Sequence, residues 1–271
     1  MAEFSVLLSL YQKEKADFLR LCLDSLLSQS VSPTEVVLVE DGPLTDILYS
    51  IVDEFRRKTP FLKVVPILKN VGLGRALNEG LKHCSCELVA RMDTDDITKP
   101  DRFEKQLKVF EKHLEYDLVG AWIEEFEGDI SNVKTVRKLP ETHSEIYQFG
   151  KNRNPMNHPV VMFRKKAVEA VGGYKHFPLF EDYYLWVRMF MNGSKAYNIQ
   201  ESLLSFRVSP DTFKRRGGFK YACDEVRFQI MLLKLGYINL VECFINICIR
   251  FATRIIPNNL RGWIYKNLLR K

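Results

Sequence analysis

Apolar runs and helical stripes alternate along the first hundred residues. "FSVLLSL" (Phe4 to Leu10) is short and continuously apolar, as a buried strand is, and Phe18 to Gln29 then places Leu19, Cys22, Leu23, Leu26 and Leu27 on one helical stripe. A second strand, "EVVLV" (Glu35 to Val39), runs into Glu40-Asp41-Gly42. The pattern continues with a helix over Leu44 to Lys58, a strand in "LKVVPIL", a helix over Leu73 to His83 and a strand "ELVARM". This β-α-β-α-β-α-β order with short connections predicts an α/β fold: a mostly parallel sheet with helices on both faces, and ligands beyond the carboxyl ends of its strands. Further strands are expected between "LVGAWIEEFE" and "FGKNRNPMNHPVVMFRKKAVEAVGGY", and a helix from Asp182 to Asn192.

Composition narrows the setting. A chain of 271 residues, 46% hydrophobic, is long enough for one large α/β domain or a domain with an appendage. Its start, "MAEFSVLLSLYQKEK", has no basic n-region, long apolar run or small-residue cleavage site, so it does not read as a secretory signal, and a cytoplasmic location is expected. Six scattered cysteines include no zinc-type CxxC pair and read as reduced thiols. The net charge of +6 is uneven: from Lys214 onward twelve Lys or Arg face only Asp224, Glu225 and Glu242. A basic tail suits an anionic partner such as phospholipid, nucleic acid or a phosphorylated substrate.

Chemistry-bearing residues collect at the strand ends. In "ARMDTDDITKPDRF", Asp93, Asp95 and Asp96 crowd three carboxylates together, which requires either a solvated turn or a compensating cation. Mg²⁺ and Mn²⁺ prefer oxygen ligands and complete their shell with phosphate and water. Asp41, beside Glu40, sits where a nucleotide lies in this topology; Asp-Gly is also a common turn, and a carboxylate here can accept the imide N–H of uracil. "NVGLGRALNEG" lacks the third glycine of a dinucleotide loop and the GK[ST] of a P-loop, yet Asn70, Gly72 and Arg75 at a helix start can approach a nucleotide. In "FPLFEDYYLW", Glu181 and Asp182 are either acids favoured by a helix N-terminus or, for Asp182 with Glu181 beside it, a general base in a partly apolar pocket. His158 in "NPMNHPVVMF" is a structural hydrogen-bonder or an acceptor or diphosphate contact, and Arg215 and Arg216 in "RRGGFKY" form a solvated loop or a diphosphate clamp.

Across Tyr237 to Ile256 the polar residues Asn239, Glu242, Asn246, Arg250, Thr253 and Arg254 occupy roughly 120° of a helical wheel, and the rest is apolar. Two arginines inside a barely long enough stretch argue against a membrane span. Either an interfacial helix flanked by the basic "RGWIYKNLLRK" or a helix packed on the domain or a partner subunit is expected; the wide apolar face makes nucleic acid an unexpected partner.

In order along the chain, "FSVLLSLYQKE", "EVVLVEDGP", "NVGLGRALNEG", "RMDTDDITKPDRFEKQ", "NPMNHPVVMFRK", "GGYKHFPLFEDYYLWVRM" and "FRVSPDTFKRRGGFKY" resemble the family-2 glycosyltransferases of the GT-A fold, covering most of residues 3 to 221. They look most like the amylovoran-type and O-antigen galactosyl- and glucosyltransferases that extend an undecaprenyl-diphosphate-linked amino sugar. One departure stands out: the family commonly has Asp-Asp after the second strand, and this chain has Glu40-Asp41.

The resemblance implies a transferase domain over residues 1–221, with a nucleotide-sugar half to about 100 and an acceptor half beyond it, then a basic amphipathic tail over 222–271. It implies an inverting hexosyl transfer, UDP-galactose first and UDP-glucose next, through a β-1,3 link to a GlcNAc- or GalNAc-diphosphate-undecaprenol. Asp95, with Asp93 or Asp96, would hold Mn²⁺ or Mg²⁺, with a neighbouring carboxylate on the ribose; Asp41 would read uracil; Asp182 would be the base; Arg75, His158, Arg215 and Arg216 would be diphosphate or acceptor contacts. The tail would hold the enzyme on the inner face of a bacterial inner membrane. Two rival readings are a sugar-1-phosphate nucleotidyltransferase, for which "SLYQKEK" lacks the expected glycines, and a non-catalytic nucleotide-sugar-binding protein.

Overall fold

The strands of the expected α/β core appear in a computed structural model that describes residues 2–209 and 218–255. They are β1 (Phe4–Leu10), β2 (Glu35–Asp41), β3 (Leu62–Ile67), β4 (Leu88–Arg91), β5 (Ile97–Thr98), β6 (Tyr116–Phe126), β7 (Val133–Arg137), β8 (Met162–Arg164) and β9 (Lys195–Arg207). The helices are α1 (Ala16–Leu27), α2 (Asp46–Lys58), α3 (Leu73–His83), α4 (Arg102–Lys112), α5 (His143–Gly150), α6 (Lys165–Ala170), α7 (Glu181–Met191), α8 (Phe219–Lys234) and α9 (Leu240–Ile255). The sheet order is β3-β2-β1-β4-β8-β6-β9-β5, with β7 on β6. β3, β2, β1 and β4 are parallel; β8 enters antiparallel between β4 and β6, and β9 runs parallel to β6.

Strand alternation sorts the core into two layers. Val6, Leu8 and Leu10 of β1, with Val36 and Leu38 of β2, pack against Leu19, Leu23 and Leu26 of α1, Leu48 and Val52 of α2, and Phe103 and Leu107 of α4. Leu7, Val37 and Val39 face the other way, onto Ala76, Leu77 and Leu81 of α3 and the buried face of α7. Fully burying each such large side chain contributes about 1.5–3 kcal/mol. α3 lies so close to the sheet that a Cβ at Gly80 would sit 2.4 Å from Leu7 and 2.5 Å from Val39.

The predicted strand two stops short of the observed one, which runs through Glu40 to Asp41. Adjacent strand positions point to opposite faces. Asp41 therefore turns to the α3 side, while Glu40 turns to the α2 side, where burial and then Asp53 push its carboxyl up.

A cross-brace of polar side chains fixes the middle of the fold. Arg102, at the start of α4 and wholly buried, donates to the Arg91 carbonyl at 2.7 Å and to Gln106 at 3.1 Å. Gln106, one turn later, donates to the carbonyls of Val119 and Val160. The "DRFEKQ" segment thus ties β4, β6 and the 3₁₀ turn His158–Val160 together.

Candidate active site

Asp93, Asp95 and Asp96 follow β4, and one oxygen from each lies within 4.8 Å of the others. Asp93 pairs with Arg91, and Asp96, wholly buried, accepts the Arg207 N–H at 2.9 Å through Oδ1. Its Oδ2 has no hydrogen-bond partner among the described residues. Burial, and then the crowding of neighbouring carboxylates, pushes the Asp95 and Asp96 carboxyls well up; Glu14 adds to this at Asp95. Arg207 closes the cluster from β9, donating Nε to the Asp95 carbonyl, its guanidinium lying 3.8 Å from the Phe18 ring centroid and 4.5 Å from that of Phe126. Three hard oxygen donors, crowded and one of them orphaned, fit Mg²⁺ or Mn²⁺.

On the neighbouring strand end, Asp41 is engaged by its own chain. Its carboxylate accepts the Val71 N–H at 2.6 Å, the Asn70 amide at 3.0 Å and the Gly72 N–H at 3.1 Å. Asp41 therefore shapes the loop that starts α3. Gly42 makes this approach possible: its φ is +86°, and a Cβ there would stand 2.6 Å from the Asn70 nitrogen. Arg75 is exposed in the first turn of α3.

The start of α7 meets the start of α3. A Cβ on Gly74 would lie 3.3 Å from Glu181, so the two helix N-termini are in contact. Leu179, just before α7, has φ +70°, the left-handed region that non-glycine residues seldom enter. Asp182 is half-buried, and Asn154 Nδ2 donates to its Oδ2 at 2.6 Å. Burial pushes the carboxyls of Asp182 and Glu181 up, while the Tyr183 backbone N–H, then Asn154, Arg91 and Arg137 oppose this at Asp182. His158 Nε2 and the Tyr174 hydroxyl are hydrogen-bonded at 2.9 Å, and burial, then Arg91, pushes the imidazole well below its ordinary range. Arg91 thus pairs with Asp93, and its charge acts on His158, Tyr174 and Asp182.

The Glycosyl transferase family 2 model matches residues 5–172. The chain belongs to that family. It is 40% identical over 99% of its length, and 97% of the relative's, to the UDP-Gal:alpha-D-GlcNAc-diphosphoundecaprenol beta-1,3-galactosyltransferase of Escherichia coli. It is also 40% identical to the amylovoran biosynthesis glycosyltransferase AmsE of Erwinia amylovora, over 97% of this chain and 98% of that one. Among solved structures, S. aureus TarS 1-349 in complex with UDP-GlcNAc matches with TM-score 0.65 at 19% identity, covering 85% of this chain and 66% of that one. The Pyrobaculum calidifontis mannosyltransferase PcManGT, in complex with GDP-Man and Mn²⁺, matches with TM-score 0.60 at 19% identity, covering 86% and 62%. At these identities the two structures speak to the shared GT-A fold.

The family-2 transferase brings Asp41, Asn70, Gly72, the three clustered aspartates, Glu181, Asp182 and His158 to one edge of the sheet, with Glu40 turned to the other face. Arg215 and Arg216 lie outside the described residues. Sequence reasoning missed Arg91, Asn154, Tyr174 and Arg207. A charged residue inside the apolar run "LVARM" was the available sign for Arg91; Asn154 and Arg207 gave none, since their partners lie 28 and 111 residues away.

Proposed function

We propose that this transferase moves a hexose, galactose first and glucose next, from its UDP donor to a GlcNAc- or GalNAc-diphosphate-undecaprenol, through a β-1,3 link, in O-antigen or exopolysaccharide repeat-unit assembly. The observation that carries this reading is the crowded Asp93, Asp95, Asp96 cluster at the end of β4, with Asp93 paired to Arg91, whose charge also acts on the Asp182 carboxyl. The activity for which the Escherichia coli relative is named supports the choice of donor and acceptor.

The acceptor hydroxyl gives its proton to Asp182 as its oxygen forms a bond to the sugar C1. The bond from C1 to the diphosphate breaks on the opposite face, UDP leaves with the electron pair, and the configuration inverts. Asp182 in a half-buried setting has its carboxyl raised toward the working pH, as a general base needs. Neutral His158, held by Tyr174, offers a hydrogen bond to acceptor or diphosphate without added charge. Asp95, Asp93 and Asp96 would hold Mn²⁺ or Mg²⁺, which supplies positive charge against the departing diphosphate. Asp41 and the loop it shapes, Asn70 to Arg75, would lie along the nucleoside, and Arg215 and Arg216 remain candidates for the diphosphate.

Residues 1–221 would carry the chemistry and 222–271 the attachment to an anionic membrane surface on the cytoplasmic side. Among the described residues no helix is long and apolar enough to cross a membrane. Leu240, Val241, Phe244, Ile245 and Ile249 of α9 are exposed along one side, with Phe244 67% accessible, which supports lying on a bilayer. Loss of sedimentation with phosphatidylglycerol vesicles in Phe244→Glu/Ile249→Glu is the expected result; undiminished binding would remove the attachment reading.

The deciding experiment is transfer from a panel of UDP- and GDP-sugars to a GlcNAc- or GalNAc-diphosphate-lipid, with Mn²⁺ or with EDTA, by wild type and Asp182→Asn. Metal-dependent product from one UDP-hexose, reduced about 10²–10⁴-fold in the variant, is expected. Wild-type rates in the variant would refute the base assignment.

A further inference from the structure

The hairpin of α8 and α9 turns its polar side inward. Glu242, Asn246 and Arg250, four residues apart, form one stripe on α9. Glu242 pairs with Lys151 at 3.0 Å, and Asn246, only 5% accessible, donates to the Lys151 carbonyl at 2.8 Å and to Gln229 of α8 at 3.0 Å. Arg250 donates to the Asn152 carbonyl and pairs with the buried Glu225. At the hairpin turn, the Tyr237 hydroxyl donates to the Tyr147 carbonyl at 2.9 Å.

All of these contacts with the domain fall on residues 147–152. From α7 the Tyr183 hydroxyl donates to the Gly150 carbonyl, so the segment is held by both α9 and α7. Two residues beyond Asn152, Asn154 reaches Asp182. α8 adds a second hold: Phe228 stacks on Phe180 at 4.8 Å and 13°, and lies 4.8 Å from Tyr183, the two residues that flank Glu181 and Asp182.

We propose that the inward polar face of the α8–α9 hairpin positions the catalytic base, by holding residues 147–154 so that Asn154 fixes the Asp182 carboxylate. This rests on Asp182 being the base. An N–H donated to a carboxylate favours its ionised form. The other charged or titratable groups facing Asp182 are Arg91 from β4, Arg137 from β7, Tyr174 ahead of α7, and Glu181 and Tyr183 on α7 itself. Releasing Asn154 leaves burial less opposed, and the base then ionises only at higher pH.

The test is kcat against pH for the full chain, with a UDP-hexose and a GlcNAc-diphosphate-lipid. Asn154→Ala should move the acid limb up by about one unit, roughly a tenfold loss on the acid side that is recovered on the alkaline plateau. Asn246→Ala, and separately the neutral pair Glu225→Gln/Arg250→Gln, should move the same limb the same way by less. Combined with Asn154→Ala they should add nothing, as expected for residues acting through one contact. A loss of kcat that is equal at every pH, or effects that add to Asn154→Ala, would overturn the positioning role. Asp182→Asn run alongside separates the two ideas: a wild-type rate there defeats the base assignment, whereas an inactive Asp182→Asn with unshifted limbs in the others defeats positioning alone.

Discussion

Replacing Asp41 by Asn separates two roles for one carboxylate. It accepts three hydrogen bonds from residues 70–72, two of them from backbone N–H groups at the start of α3. Asparagine keeps the shape, but its one oxygen can take either the Val71 N–H or the Asn70 amide with the Gly72 N–H, and the side-chain amide is turned against the rest. Hydrogen bonds to a charged group are worth about 1.5–3 kcal/mol each, and the site is only partly shielded from water, so a loss of about 3 kcal/mol is expected. For a chain of this size that lowers Tm by about 6–12 °C. Thermal unfolding followed by circular dichroism without nucleotide, together with KM for the UDP-sugar, checks it. A Tm within 2 °C of wild type alongside a raised KM would refute the loop-holding role, and would leave Asp41 as a pure nucleobase contact.

Three further outcomes are expected. Gln106→Ala strands the carbonyls of Val119 and Val160 and a nitrogen of Arg102, all buried, and should cost about 3–5 kcal/mol in urea unfolding; a loss under about 1 kcal/mol would show the brace to be dispensable. His158 has its folded pKa lowered, so its contribution to stability is present above the unfolded value near 6.5 and is lost as pH falls below it. His158→Gln should therefore recover about 1.4 kcal/mol at pH 5.5 relative to pH 8, and an unchanged pH dependence of Tm would contradict a buried neutral imidazole. Mn²⁺ with UDP, at a hundredfold over Kd, should stabilise the wild type by about 2.7 kcal/mol, and Asp95→Asn should abolish most of the shift in Tm; an equal shift in the variant would remove Asp95 from the cation site.

The parallel half of the sheet was legible because its signals are local. A run such as "FSVLLSL" and a stripe such as Leu19, Cys22, Leu23 and Leu26 carry their period within a dozen residues, and the acids after β2 and β4 follow directly from where those runs end. The resemblance to family-2 glycosyltransferases likewise rested on short motifs in order, and the family match agrees with it.

What the tertiary structure decided depends on partners distant in sequence. Nothing near β8 announces that it enters antiparallel between β4 and β6, and nothing near Asn154 or Arg207 names Asp182 or Asp96. The wheel of α9 divided polar from apolar residues correctly, but a period cannot say which side faces the protein. Half-buried Lys151 and buried Gln229 and Glu225 offer partners for Glu242, Asn246 and Arg250, so the polar stripe turns inward and Leu240, Val241, Phe244, Ile245 and Ile249 are left outside. A sequence sets which side chains share a face; only the surface brought against that face by the rest of the chain determines its direction, because hydrogen bonds and ion pairs made out of water need a partner already in place.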